Sequence, residues 1–124
     1  MVCKVLIIDD DPAICESVKA ILDGSGYEAE TALSGAEGLE AFRRTQFDIV
    51  LCDMMMEDID AGVRVASAIK KERKEVPVFL LSTIGNATAY NINVNDLGFD
   101  GAFQKPVNFD LLLAVLGRCA HPPQ

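Results

Sequence analysis

The sequence predicts an α/β domain with a parallel five-stranded sheet and helices on both faces. Short apolar runs alternate with amphipathic stretches along the chain, and those runs are too continuously apolar for a sheet with one face in water. Two of them, Val5 to Ile8 and Ile49 to Cys52, end abruptly in acids. In an open α/β sheet, ligands bind outside the carboxyl ends of the strands, so acids at those ends mark a candidate site before any motif is considered.

The elements follow in order. Val2 to Ile8 reads as the first strand, and Asp11 with Pro12 starts a helix as an N-cap acid with proline in the first turn. Ile14, Val18, Ile21 and Leu22 give that helix its apolar stripe, and Gly24 and Gly26 end it. Tyr27 to Leu33 alternates like a partly exposed strand. Ser34 and Glu37 form a capping box for a helix with Leu39 and Phe42 inward. Asp48 to Cys52 is the third strand. Val65, Ala66 and Ile69 mark a third helix, and Val76 to Leu81 a strand entered through Pro77 and ending at Ser82 and Thr83. The stretch 86–97 is rich in asparagine and β-branched residues with mediocre helix propensity, yet Ala87, Tyr90, Val94 and Leu97 fall at helical spacing. It reads as a weak helix. Gly101 to Gln104 is the fifth strand, Lys105 and Pro106 a turn, and Asn108 caps a last helix ending near Arg118.

Composition narrows the function classes. A chain of 124 residues with 50% hydrophobic content is one domain with one core. It is expected to span 1–119, with 120–124 a tail or the start of a linker. The net charge of −8 argues against direct nucleic-acid contact, which needs clustered cations. Lys70, Lys71, Arg73 and Lys74 are interleaved with Glu72 and Glu75 and read as a solvated helix face. No run reaches membrane-spanning length and no signal peptide is evident, so a cytoplasmic protein without membrane contact is expected. Cys3, Cys15, Cys52 and Cys119 show no C-x-x-C spacing and read as reduced, small hydrophobes.

Asp9 and Asp10, Asp53, Ser82 and Lys105 each follow an apolar strand. Two strands that deliver carboxylates to one edge concentrate charge needing compensation, and a hard divalent cation supplies it. Taken singly, Asp53 reads as an ordinary turn cap, and Lys105 as an ordinary turn lysine. Together and in this order, the acidic pair, the lone acid, the hydroxyl and the Lys-Pro resemble the receiver domain of two-component response regulators over essentially the whole chain. The resemblance implies a doubly wound, flavodoxin-like sheet of order 2-1-3-4-5 and a phosphorylation-dependent signalling switch, not a turnover enzyme. It implies that Asp53 accepts a phosphoryl group from a sensor histidine kinase or phosphotransfer protein. Asp9, Asp10, Asp53 and the main-chain carbonyl of Met55 would serve Mg²⁺, Asp9 mostly through water. Lys105 and Ser82 would contact phosphoryl oxygens.

The chain departs from the family pattern at several points. Glu57 stands where proline is usual, Ala61 where glycine is usual, and Gly62 comes one residue late, so an unusual path is expected for the loop 54–62. Met55 and Ile84 are apolar at positions that tune dephosphorylation, and Ala102 replaces an aromatic, with Phe103 beside it facing the other way. The last helix is apolar nearly all round: Phe109, Leu112, Leu116 and Cys119 form its inward stripe, while Leu111, Leu113 and Val115 suggest a homodimer or output-partner surface. Two alternatives remain. Asp9 and Asp11 imitate the acid pair of haloacid-dehalogenase-like phosphatases, with Asp9 as nucleophile, and the altered loop is compatible with a receiver-shaped scaffold that is never phosphorylated.

Overall fold

A computed structural model describes residues 3–53, 61–83, 100–105 and 107–120. Its sheet is five-stranded and parallel, in the order β2-β1-β3-β4-β5. The strands are β1 (Lys4–Ile8), β2 (Glu28–Ala32), β3 (Ile49–Asp53), β4 (Val78–Thr83) and β5 (Gly101–Lys105). The helices are α1 (Pro12–Gly24), α2 (Gly35–Arg44), α3 (Ala61–Glu72) and, last in the chain, α4 (Phe109–Ala120). The fold is the expected one.

Strand alternation sorts the core into two layers. Leu6, Ile8, Val50, Cys52, Val78 and Leu80 meet Phe42 of α2 and Ala66 and Ile69 of α3 on one face. Val5, Ile7, Ile49, Leu51, Phe79, Leu81 and Phe103 meet Val18 and Leu22 of α1 and Leu112 and Leu116 of α4 on the other. With both faces covered, every residue of β3 is buried, which is why that strand reads as an unbroken apolar run. Gly38 permits the close approach of α2 to β1, since a Cβ there would stand 2.5 Å from Ile8 Cδ1.

The predicted helix signals operate locally. Asp11 accepts from the Ala13 N–H at 2.9 Å, and Gly26 follows α1 with φ 93°, a left-handed conformation that favours glycine. The Ser34 hydroxyl accepts from the Glu37 N–H, while the Glu37 carboxylate accepts from the Leu33 N–H. Asn108 Oδ1 accepts from the Leu111 N–H.

Several details differ from expectation. The stripe of α1 is centred on Cys15, Val18 and Leu22 rather than on Ile14 and Ile21, because a neighbouring thiol completes the i, i+3, i+7 face. Strand β2 buries Ala29 and Ala32 rather than alternating, as befits an edge strand with α1 and α2 beside it. Lys105 ends β5 instead of starting a turn, with its partner in register Thr83 of β4. Among the described residues α3 runs Ala61–Glu72, so Ala61 and Gly62 are helical rather than loop. Leu113 and Val115 of α4 pack partly against the core and leave Leu111, 52% exposed, as the outward anchor. The weak helix expected over 86–97 lies outside the described residues.

Candidate functional site at the carboxyl edge of the sheet

Strand order 2-1-3 makes β1 and β3 neighbours, with Ile8 of β1 opposite Cys52 of β3. The residue after each is an acid, so the parallel register brings Asp9 and Asp53 to the same edge. Asp9 is fully buried and Asp53 nearly so. Asp10 is exposed beside them. One ligand oxygen from each of the three can be chosen so that all lie within 4.8 Å of one another. Ser82 of β4 is buried one residue beyond Leu81, which pairs with Asp53.

Lys105 reaches across from the end of β5. Its Nζ lies 2.8 Å from Asp9 Oδ2 and 3.2 Å from Asp53 Oδ1, so one ammonium serves two buried carboxylates. Burial alone would lower the lysine's pKa, but the contact with Asp9 and the charges of Asp53 and Asp9 outweigh it and hold the ammonium above its ordinary value. Asp9 Oδ1 accepts from the Asp11 N–H at 2.9 Å, and the Cys15 thiol donates to the Asp9 carbonyl at 3.3 Å, so the turn after β1 is fixed from two directions. Sequence reasoning missed Cys15 here because a cysteine on a helix stripe carries no spacing signal.

Three carboxylates against one ammonium leave an excess of negative charge. Moreover, Asp9 Oδ2 is buried and, despite its ion pair with Lys105, receives no well-directed hydrogen bond. A buried oxygen in that condition, among hard carboxylate donors, fits a divalent cation such as Mg²⁺. Asp11 is occupied as the cap of α1 and is not part of the cluster. That removes the second acid of the phosphatase-like pair. Met55, Glu57 and Ile84 lie outside the described residues.

On this fold and site, the molecule is a doubly wound α/β domain with a cluster of acids and a lysine at the carboxyl edge of its sheet. The family model described as the response regulator receiver domain matches residues 5–117, and the chain belongs to that family. Relatives include the transcriptional regulatory protein ZraR of Escherichia coli, 35% identical over 92% of this chain and 25% of its own length. Another is the transcriptional regulatory protein DltR of Streptococcus agalactiae, 32% identical over 90% of this chain and 49% of its own length. The chain thus spans between a quarter and a half of these relatives. Among solved structures, a response regulator receiver domain protein from Clostridium thermocellum superposes with TM-score 0.85 at 29% identity, covering 95% of this chain and 94% of that one. The chemotaxis protein CheY4 of Vibrio cholerae does so with TM-score 0.83 at 29% identity, covering 96% and 99%. The chain is therefore a receiver domain, a module of phosphorylation-dependent signalling.

No helix among the described residues is long and apolar enough to cross a membrane.

Proposed function

We propose that Asp53 is the phosphoacceptor of this receiver and that Asp9, Asp10 and Asp53, with the Met55 carbonyl, hold Mg²⁺. The observation that carries the reading is the Lys105 ammonium bridging Asp9 and Asp53 at the end of the sheet. A carboxylate attacks phosphorus only if the negative charge around it is managed. Lys105 neutralises part of that charge and is positioned to pair with a phosphoryl oxygen once Asp53 is modified. The Ser82 hydroxyl offers a hydrogen bond to another. Bound Mg²⁺ would neutralise charge on the phosphoryl group, and the protein's own contribution is orientation of acceptor, lysine and hydroxyl.

The donor in this reading is the phosphohistidine of a sensor histidine kinase or phosphotransfer protein, and the domain modifies itself without turning over a substrate. The unit runs to Ala120, the last residue of α4 and one past the expected boundary, 121–124 is a tail or linker, and the domain works in the cytoplasm. A homodimer or output partner would dock on α4 through Leu111, with Leu113 and Val115 supporting it from the half-buried flank. Direct nucleic-acid contact is not proposed for this chain. Relatives are named as transcriptional regulators, and one from Synechocystis as DNA-binding, but the chain covers only 52% of that protein.

Intact mass after incubation with a small acyl phosphate and Mg²⁺ tests the reading. The parent gains one phosphoryl group and Asp53→Asn gains none. Labelling of the Asn variant at Asp9 would transfer support to a phosphatase-like chemistry, and an unlabelled parent would leave a receiver-shaped scaffold.

A further inference from the structure

The turn between β1 and α1 carries two of the three clustered carboxylates, Asp9 and Asp10, and bonds from both sides hold it. On the sheet side the Asp9 N–H donates to the Ala32 carbonyl of β2 at 3.0 Å. Asp9 is fully buried, so its own carbonyl needs a donor from inside the protein. Helix α1 supplies one, the Cys15 thiol at 3.3 Å. The Cys15 N–H donates in turn to the Asp11 carbonyl at 3.1 Å, so one residue ties the helix to both ends of the segment from Asp9 to Asp11. Cys15 is buried on the stripe it shares with Val18 and Leu22, which keeps water from competing for its thiol. In such surroundings the thiol stays protonated at neutral pH and remains a donor.

The Asp9 carbonyl and the Asp10 N–H belong to one planar peptide, so a donor that fixes the first fixes the direction in which the chain enters Asp10. Asp9 and Asp53 are held by burial and by Lys105. Asp10 is exposed, so its place in the cluster depends on the backbone that presents it.

We propose that Cys15 is a positioning residue for the metal site, its thiol holding the peptide between Asp9 and Asp10 in the orientation that presents Asp10 to Mg²⁺.

The inference rests on the reading that these carboxylates hold Mg²⁺. A soft thiol is not a ligand that Mg²⁺ selects, and the contribution of Cys15 is to orientation alone. Orientation matters because Mg²⁺ demands a near-octahedral set of oxygens, whereas Ca²⁺ accepts a variable one. A loosened Asp10 should therefore cost Mg²⁺ more than Ca²⁺. Groups that orient metal ligands are worth roughly 10- to 100-fold in affinity, and a thiol is a weak donor, so a loss of about 3- to 10-fold is expected here.

The test is calorimetric titration of the full chain and four variants with Mg²⁺ and, separately, Ca²⁺. The variants form two matched pairs that differ by a hydroxyl on a similar frame, Cys15→Ala with Cys15→Ser and Cys15→Val with Cys15→Thr. Urea unfolding in chelator gives the stability of each. The Ala and Val variants should lose about 3- to 10-fold in Mg²⁺ affinity and less in Ca²⁺ affinity. Within each pair the hydroxyl should recover most of the Mg²⁺ loss without a matching gain in stability. Affinity that follows stability rather than the hydroxyl, equal losses for the two ions, or parental Mg²⁺ affinity in both the Ala and Val variants would each overturn the positioning role and leave the metal reading intact. A parent that binds no Mg²⁺ would overturn both.

Discussion

Replacing Lys105 by methionine isolates the charge that holds the site together. The Lys105→Met side chain keeps much of the apolar stem but leaves Asp9 and Asp53 buried without their shared ammonium. At separations of 2.8 and 3.2 Å, the two attractions are each worth about 5 to 6 kcal/mol gross at an effective dielectric of about 20. The desolvation of an ammonium only 16% exposed offsets a large part of this. The net loss on breaking such a buried pair from one side is about 3 kcal/mol, which in a domain of this size lowers the thermal midpoint by roughly 10 °C. The loss should be largest in a chelator, where nothing else compensates the carboxylates. Mg²⁺ competes with the ammonium for those oxygens, so the variant should bind Mg²⁺ more tightly than the parent and recover most of its stability when saturated. It should nevertheless be phosphorylated poorly. Urea unfolding with and without Mg²⁺, together with metal titration by calorimetry, reads both effects. Adding Asp9→Asn to the variant separates charge from packing, since removing one uncompensated carboxylate should restore stability. Equal stability of parent and variant in chelator, or an unchanged Mg²⁺ dissociation constant, would refute the electrostatic account.

Further outcomes follow from other parts of the molecule. Gly38→Val should destabilise by about 1 to 3 kcal/mol, because even its first carbon would stand 2.5 to 2.9 Å from the buried Ile8 side chain, and denaturant titration measures this. Stability should fall as pH rises from about 9 towards 11: burial and then Asp9 raise the Cys15 thiol from 9.0 to about 11, so the unfolded chain ionises first and gains the advantage in that window. Thermal midpoints across this range should be flatter for Cys15→Ala. Self-dephosphorylation should be slow, because Met55 and Ile84 offer no hydrogen bond to an attacking water, and Met55→Asn should hasten loss of the phosphoryl mass in a timed intact-mass series. A fast parent rate, or indifference to that change, would mean that water is held by other groups.

The site was legible because its signals are local and its assembly follows from topology. Each acid or cation directly follows a run whose burial is written in consecutive apolar residues, and a parallel sheet with all such ends on one edge brings them together. Ser34 with Glu37 and Asp11 with Pro12 were equally readable, since a cap is made by residues within one turn of each other. What sequence could not supply is information carried across the fold. The burial of Cys15 against the Asp9 carbonyl depends on how α1 lies on β1. Leu113 and Val115 looked outward on a wheel of α4 because its apolar residues encircle the helix, and only the neighbouring sheet and α1 decide which flank is covered.

The carboxyl edge of the sheet is joined to the last helix through β5. Asp53, Asp9 and Lys105 form a charged cluster whose balance a metal ion or phosphoryl group would alter. Helix α4 follows that cluster in the chain, beginning four residues after Lys105 and running to Ala120. Its buried Leu112 and Leu116 pack on the same layer as Phe103, which meets Phe79 with ring centroids 5.5 Å apart. The exposed Ala102 beside Phe103 carries no ring to reorient on the outer face, so the aromatic content of β5 is committed to the core. A shift of Lys105 on phosphorylation would therefore act on α4 through the strand and its packed face. Phosphorylation should change amide exchange across α4, most at the buried Leu112 and Leu116 that pack on the same layer as Phe103. Unchanged exchange in the phosphorylated protein would show that the strand does not pass the shift of Lys105 to the helix.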